Sequence, residues 1–387
     1  MENFIYHSPT KIVFGVDAEK ECGREIKIYG KKVLLHYGGG SIKKSGLYDV
    51  VIAALKDEGI EVYELGGVKP NPTLSMVYEG IKICKEHKIE AILAVGGGSV
   101  IDSAKAIGLG AKHENDVWDF FSGKASPING TLPVGVILTI PASGSETSVS
   151  TVITNEKTVE KTSYRNQINR PVFALMNPVL TYTIPMYNTC AGIVDIFSHT
   201  MERYFTNAED VNFTSELCEA TMRSIIEVAP RILKNPHDYG SRAEIMWIAT
   251  ISHNGILETG RIADWASHKI EHELSAFYDI THGAGLSIII PAWMKYVYRH
   301  DLEQFVRFAN KVCNIELSGS KEEIALKGIE YIKNFFKSLG MPTSFEEANL
   351  PNDKIDVMAK KATKTGPVGQ FVKLYDGDIL EIYKLAL

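Results

Sequence analysis

The chain has 387 residues, 45% of them hydrophobic and 23% charged, with a formal net charge of −6. That length fits two domains of roughly 150–200 residues better than a single core. The acidic balance, with no Lys/Arg run, argues against a nucleic-acid or anionic-membrane surface, since either needs a basic patch.

No apolar run approaches the ~20 residues of a membrane span, and "MENFIYHSPTKIVFG" lacks a basic stretch followed by an apolar one. The five cysteines (Cys22, Cys84, Cys190, Cys218, Cys313) are scattered, with no C-x-x-C pair. Free thiols in a reducing compartment are expected, hence a cytoplasmic protein.

In chain order, the first half alternates apolar strand-like runs with amphipathic stretches. "KVLLHYGGGS" reads as strand and turn, "GLYDVVIAALKDEG" as helix, "IEVYELGG" as strand, and "LSMVYEGIKICKEHK" as helix. "IEAILAVGGGS", "VIDSAKAIGLG" and "PVGVILTIPASGSE" continue as strand, helix, then strand and loop. This β-α-β order with fully apolar strands predicts a parallel sheet covered on both faces, a Rossmann-like α/β domain over residues 1–186. "NPVLTYTIPMYN", with two prolines, reads as the hinge. Beyond it, five long segments from "TCAGIVDIFSHTMERYF" to "EEIALKGIEYIKNFFKSLG" carry 3.6-residue periodicity with almost no strand signal. An all-α domain is therefore expected over residues 187–387. "VWDFF" (117–121) reads as core or subunit contact more readily than as a substrate wall.

Two Gly-Gly-Gly-Ser turns, Gly38–Ser41 and Gly96–Ser99, each end an apolar strand. Glycine lets a backbone approach a ligand, and the second turn opens a helix whose free N–H groups favour a pyrophosphate. Neither matches G-x-G-x-x-G, but both fall at carboxyl ends of parallel strands, where ligands bind. The loop Thr139–Ser148 follows the next strand and reads equally as nucleotide contact or polar connector. Where NAD would meet an acidic residue the sequence offers Ser41, and Lys157 and Lys161 follow downstream. This leans toward a 2′-phosphate, hence NADP(H).

On the helical side, His268 and His272 lie four apart, and His282 precedes Gly-x-Gly. "HKIEH" fits H-x-x-E-H, a zinc-peptidase motif with Glu271 as base, but a peptidase leaves the glycine turns without a role. Asp195 and His199 form a second i,i+4 pair, so two helices and a helix start offer ligands to one ion with an open position. Without cysteine, such a set suits Fe²⁺ or Zn²⁺.

Together these residues resemble a known family. "GGGSVIDSAK" (96–105), "TIPASGSE" (139–146), "VDIFSHTMERY" (194–204) and H-x3-H-x9-H-G (268–283) are similar to the iron-dependent (group III) alcohol dehydrogenases. "YGGGSIKK" and "VKPNP" resemble the branch of butanol dehydrogenases and NADPH-dependent aldehyde reductases. The resemblance spans the whole length and implies a dehydroquinate synthase-like fold, in a homodimer. It implies hydride transfer between primary alcohols and aldehydes, with Asp195, His199, His268 and His282 as metal ligands, Fe²⁺ first and Zn²⁺ as the alternative. His272 falls on the cleft histidine and is the expected proton relay. The implied cofactor contacts are Gly38, Gly39, Ser41, Asn71, Gly97, Gly98, Ser99, Asp102, Thr139, Ser148 and Lys161. NADP(H) is expected through Ser41 and Lys161, with NAD(H) as the alternative. A 3-dehydroquinate-synthase-like lyase is the rival on the same architecture. Two departures stand beside the site: Trp265 where many members carry Gly, and Thr281 where Pro is common.

Overall fold

In the computed structural model, which describes residues 1–125 and 130–387, the chain divides into two units. His7–Ile184 form one, and Pro185–Leu387 with Met1–Tyr6 form the other. The first six residues join the helical unit, where Glu2 N donates to Gly260 O at 2.9 Å.

Among the described residues the first unit has eight strands: β1 (Lys11–Phe14), β2 (Lys32–Gly38), β3 (Glu61–Val68), β4 (Ala91–Gly96), β5 (Val134–Leu138), β6 (Ser150–Asn155), β7 (Glu160–Arg165) and β8 (Phe173–Met176). Six of them form one parallel sheet in the order β1-β8-β5-β4-β2-β3. β4 and β5 are buried along their whole length, as strands covered on both faces must be. One face packs on Cys22, Val51 and Leu55, among others, around Val33, Leu35 and Leu93.

β6 and β7, which were not among the predicted strands, pair as an antiparallel hairpin. "STVITN" is rich in β-branched residues and alternates half-buried with buried positions, a period-2 signal hidden by its hydroxyls. "VWDFF" turns inward: Phe120 and Phe121 are buried, and their rings stand 5.8 and 6.1 Å from that of Tyr164 on β7.

His36, fully buried on β2, is a polar node of this unit. Its Nδ1 lies 2.8 Å from Leu65 O, and its Nε2 lies 2.9 Å from Ser103 Oγ. A carbonyl only accepts, so Nδ1 carries the proton and Nε2 accepts from the serine. Burial pushes the imidazole down from 6.5 to about 4. Below pH 6.5 the unfolded chain takes up a proton that the folded chain refuses. The stability is therefore complete above that pH and should fall by about 3 kcal/mol by pH 4. Urea unfolding of wild type and His36→Gln across this window should show the steeper loss in wild type. Equal slopes would assign the loss to other groups.

The second unit is helical. Its central helix, Met186–Tyr204, is buried at every position from Thr189 to Tyr204 and so must be surrounded by other helices. Around it lie Asn212–Lys234, Tyr239–His253, Ala266–Tyr278 and His282–Val297, with Leu302–Lys311 and Lys321–Ser338 beyond. Ile193, Phe197, Ile289, Trp293 and Phe336 are among the side chains of one continuous core. No helix of the described residues is long and apolar enough to cross a membrane.

Candidate metal centre and nucleotide edge

The carboxyl edge of the parallel sheet brings the glycine turns together. The chain runs from β2 outward to β3, then returns to β2's other side for β4 and continues to β5. The switch point therefore lies between β2 and β4, the position where open α/β sheets bind ligands. Tyr37 is in register with Val95, so the turns at Gly38–Ser41 and Gly96–Ser99 leave adjacent strands side by side. Thr139 N donates to Gly96 O at 3.0 Å, which places the loop after β5 next to them.

Gly97 and Gly98 have a packing reason as well. A Cβ on Gly98 would stand 2.2 Å from Ser143 Oγ, and one on Gly97 would stand 2.9 Å from Ile140 Cβ. Gly39 meets nothing within 4 Å, so its contacts leave room for a ligand. Lys161 Nζ donates to Asn71 Oδ1 at 3.0 Å, joining two of the candidate cofactor contacts. Asp102 and Ser148 turn inward instead. Asp102 accepts from Ser145 Oγ at 2.5 Å and Val152 N at 3.0 Å, and Ser148 Oγ lies 3.4 Å from Lys105 Nζ.

In the helical unit, Asp195, His199 and Glu202 share one face of the central helix at i, i+4 and i+7. Asp195 Oδ1 faces three imidazoles: His199 Nδ1 at 3.4 Å, His282 Nε2 at 3.7 Å and His268 Nε2 at 3.8 Å. The candidate ligand atoms of Asp195, His268 and His282 all lie within 4.8 Å of one another. His199 stands outside that tightest set, with its ring 4.6 Å from that of His268.

Asp195 Oδ1, His199 Nδ1 and His268 Nε2 are buried and have no hydrogen-bond partner. Each such atom costs about 1–3 kcal/mol, so three aimed into one space fit a cation that would satisfy them together. One carboxylate with imidazoles, and no thiolate, fits Fe²⁺ or Zn²⁺.

Two carboxylates stand behind the histidines: Glu202, unassigned from the sequence, and Glu271, the base of the peptidase motif. Glu202 accepts from His268 Nδ1 and, at 3.2 Å, from the His268 backbone N. Glu271 accepts from His282 Nδ1 and, at 2.5 Å, from Ser275 Oγ. Both are fully buried. Holding the Nδ1 proton directs each Nε2 lone pair toward Asp195, the arrangement by which carboxylates orient metal-binding histidines. Glu271 is thus committed to His282 and Ser275, which removes it as the base of a peptidase.

Burial alone would lower the basicity of His268, but Glu202 and Asp195 outweigh it and bring the imidazole up to about 9, so a cation would have to displace a proton to take the Nε2 lone pair. His199 is pushed well below 6.5, by burial first and then by the charges of His268, Arg203 and His282. His272, half-buried, sits beside this set with its ring 5.8 Å from that of His282.

The two departures acquire physical reasons. Trp265 has φ 62°, the left-handed region that favours glycine. Its ring is held under the Arg203 guanidinium at 4.6 Å and against the rings of His268, His253 and His199 at 5.2, 5.5 and 5.9 Å. Thr281 precedes the helix His282–Val297 with φ −59°, a value proline also adopts.

Residues 9–178 match the family described as iron-containing alcohol dehydrogenase, and residues 189–387 match the C-terminal domain of that family. A probable NADH-dependent butanol dehydrogenase of Bacillus subtilis is 43% identical over 388 residues, covering 100% of both chains. An NADPH-dependent aldehyde reductase of Escherichia coli is 37% identical over 368 residues, covering 95% of this chain and 94% of its own. The crystal structure of an NADH-dependent butanol dehydrogenase from Thermotoga maritima superposes with a TM-score of 0.96 at 46% identity, covering 100% of this chain and 99% of that one. With sheet, helical unit and matched segments all in agreement, the chain belongs to the iron-containing alcohol dehydrogenase family.

Proposed function

We propose that this protein interconverts aldehydes and primary alcohols of butanol-like size: RCHO + NAD(P)H + H⁺ ⇌ RCH₂OH + NAD(P)⁺. The observation that carries the reading is Asp195 Oδ1 facing three imidazoles, with the buried atoms of the set left without hydrogen bonds. When bound there, iron (or zinc) would supply Lewis-acid polarisation of the substrate oxygen, and the nicotinamide would supply the hydride. Asp195, His199, His268 and His282 would hold the ion, and Glu202 and Glu271 would keep His268 and His282 in the ligating tautomer. His272 is assigned the transfer of the hydroxyl proton to and from solvent.

For the cofactor, the adjacent glycine turns would take the diphosphate and Lys161, beside Asn71, the 2′-phosphate of NADP(H). The relatives carry both preferences in their names, NADH in the Bacillus protein and NADPH in the Escherichia one. A homodimer in the cytoplasm completes the reading, checked by sedimentation and fractionation.

The test is a panel of aldehydes with NADPH and NADH, with and without added Fe²⁺ or Zn²⁺. Metal-dependent NADPH oxidation by butanal is expected. Lys161→Ala should raise the NADPH KM on the order of tenfold, through one lost charge-assisted contact, and leave that for NADH unchanged. No turnover of any aldehyde with either nucleotide would overturn the activity, and an unchanged NADPH KM would overturn the phosphate contact.

A further inference from the structure

A buried ammonium beside the nucleotide edge has no part in the chemistry above. Lys105 lies on the helix Gly98–Ala111, whose first turn is the second glycine turn, and its side chain is 1% exposed. Taking an ammonium out of water costs several kcal/mol unless its donors are met, so its partners identify what it holds. Nζ donates to Ser145 Oγ at 2.8 Å, Ser150 O at 2.9 Å and Ser148 O at 3.2 Å. Ser145 Oγ passes the contact on to Asp102 Oδ1, while Val152 N donates to Asp102 Oδ2 and Thr151 Oγ1 to Asp102 O.

Every one of these partners lies between residues 145 and 152. Ser145, Glu146, Thr147 and Ser148 are all buried, although they form a polar connection of the kind that ordinarily runs over a surface. Asp102 and Lys105, at i and i+3, present one side of the helix to that connection. At the same helix's start, Gly98 and Gly97 lie against Ser143 and Ile140 of the same loop.

We propose that Asp102 and Lys105 are positioning residues for the dinucleotide: they fasten the loop after β5, together with the first residues of β6 into which it runs, to the helix that carries the glycine turn. The two segments that would flank the diphosphate are thereby kept in one register. This role rests on the nucleotide reading above. It assigns Asp102 an indirect part, through Ser145 and Val152, in place of direct contact with the cofactor. The brace acts on what NADPH and NADH share, so it affects both alike.

The charge of Lys105 supplies a readout that a purely structural lysine would not. Burial pushes its ammonium down to about 8, opposed by Asp102 on its own helix and Glu146 from the loop, and assisted by Arg170 from the segment before β8. Above that pH it loses one of the donors that the loop's acceptors require.

The experiment measures direct binding of NADPH and of NADH, by fluorescence of the reduced nicotinamide, at about pH 7 and about pH 9. It compares wild type, Lys105→Met, Lys105→Arg and Ser145→Ala, each with bound metal quantified. Lys105→Met and Ser145→Ala should weaken both nucleotides on the order of tenfold at the lower pH, with metal content unchanged. Wild-type affinity should fall toward the higher pH, that of Lys105→Met should stay flat, and Lys105→Arg should recover part of the loss. Should Lys105→Met fail to fold, Ser145→Ala, which only removes one hydroxyl, carries the test. Binding of both nucleotides by Ser145→Ala within about twofold of wild type would overturn the brace. So would loss of NADPH alone. Absence of binding by wild type would overturn the nucleotide reading itself, and the brace with it.

Discussion

Replacing His268 with alanine should reduce bound metal to about a tenth of wild type or less, and turnover by on the order of 10³-fold, equal to several kcal/mol of lost oxygen polarisation. His268 is the imidazole on which most of the centre converges. Its Nε2 faces Asp195 Oδ1 at 3.8 Å, its Nδ1 is taken by Glu202, and its ring lies 4.6 Å from that of His199. Truncation removes one ligand and strands Glu202, a fully buried carboxylate whose side chain then keeps no imidazole donor. The variant should therefore also melt lower than wild-type protein stripped of metal, because an uncompensated buried charge is costly even with the ion gone. His272→Ala is the informative contrast. Its ring is adjacent to the set rather than in it, so the ion should stay while turnover falls. Metal analysis after anaerobic purification, paired with butanal-dependent NADPH oxidation, reads both variants. A His268→Ala protein with a full complement of metal would remove His268 from the shell.

The centre was legible in the sequence to the extent that a helix turns spacing into proximity. Asp195 and His199 advertise themselves at i,i+4, and His268 and His282 flank a helix and open the next one. Glu202 was available by the same rule, at i+7 from Asp195. Yet in "HTMERY" it reads as an ordinary solvated glutamate, because burial is a tertiary property and the sequence does not display it. Lys105 is hidden for the same reason: a lysine is expected in water until a loop from elsewhere wraps it, and here every residue of its helix from Val100 to Gly110 is buried. Four of the six parallel strands, β2 to β5, announced themselves as apolar runs between turns, whereas β1 and β8 were not among the predicted elements. β6 and β7 did not announce themselves, because the positions that alternate inward include Thr151 and Asn155 on β6 and Lys161 on β7, polar residues that do not mark a buried face. Trp265 shows the converse. The sequence flags an unusual residue beside a ligand, and only the backbone, at φ 62°, supplies the reason glycine suits that position.

A single methyl group at Gly283 should damage the centre almost as severely as loss of a ligand. Gly283 follows His282 at the start of its helix, and a Cβ there would stand 1.9 Å from Ala191 O, 2.6 Å from Ala191 C and 3.0 Å from Ala191 Cα. Those atoms are the backbone of the central helix, one turn before Asp195, so no side-chain rotation relieves the contact. The two helices must separate, and in a close-packed interior such overpacking costs about 1–3 kcal/mol. Separation carries His282 away from Asp195 Oδ1, and metal sites tolerate only ~0.2 Å in ligand distance. Gly283→Ala should therefore lower the melting temperature of the metal-free protein by several degrees, about 2–4 °C per kcal/mol lost. It should also weaken metal binding at least 10–100-fold, the scale of disrupting the groups that orient a ligand. Gly377→Ala, in the same unit, adds its methyl where nothing lies within 4 Å and should change neither quantity appreciably. Equilibrium dialysis against Zn²⁺ and thermal melts of the stripped proteins separate the two effects. A Gly283→Ala protein that melts low but binds metal normally would mean that the helix start bends without moving His282. Wild-type behaviour in both measurements would mean that the two helices do not approach this closely.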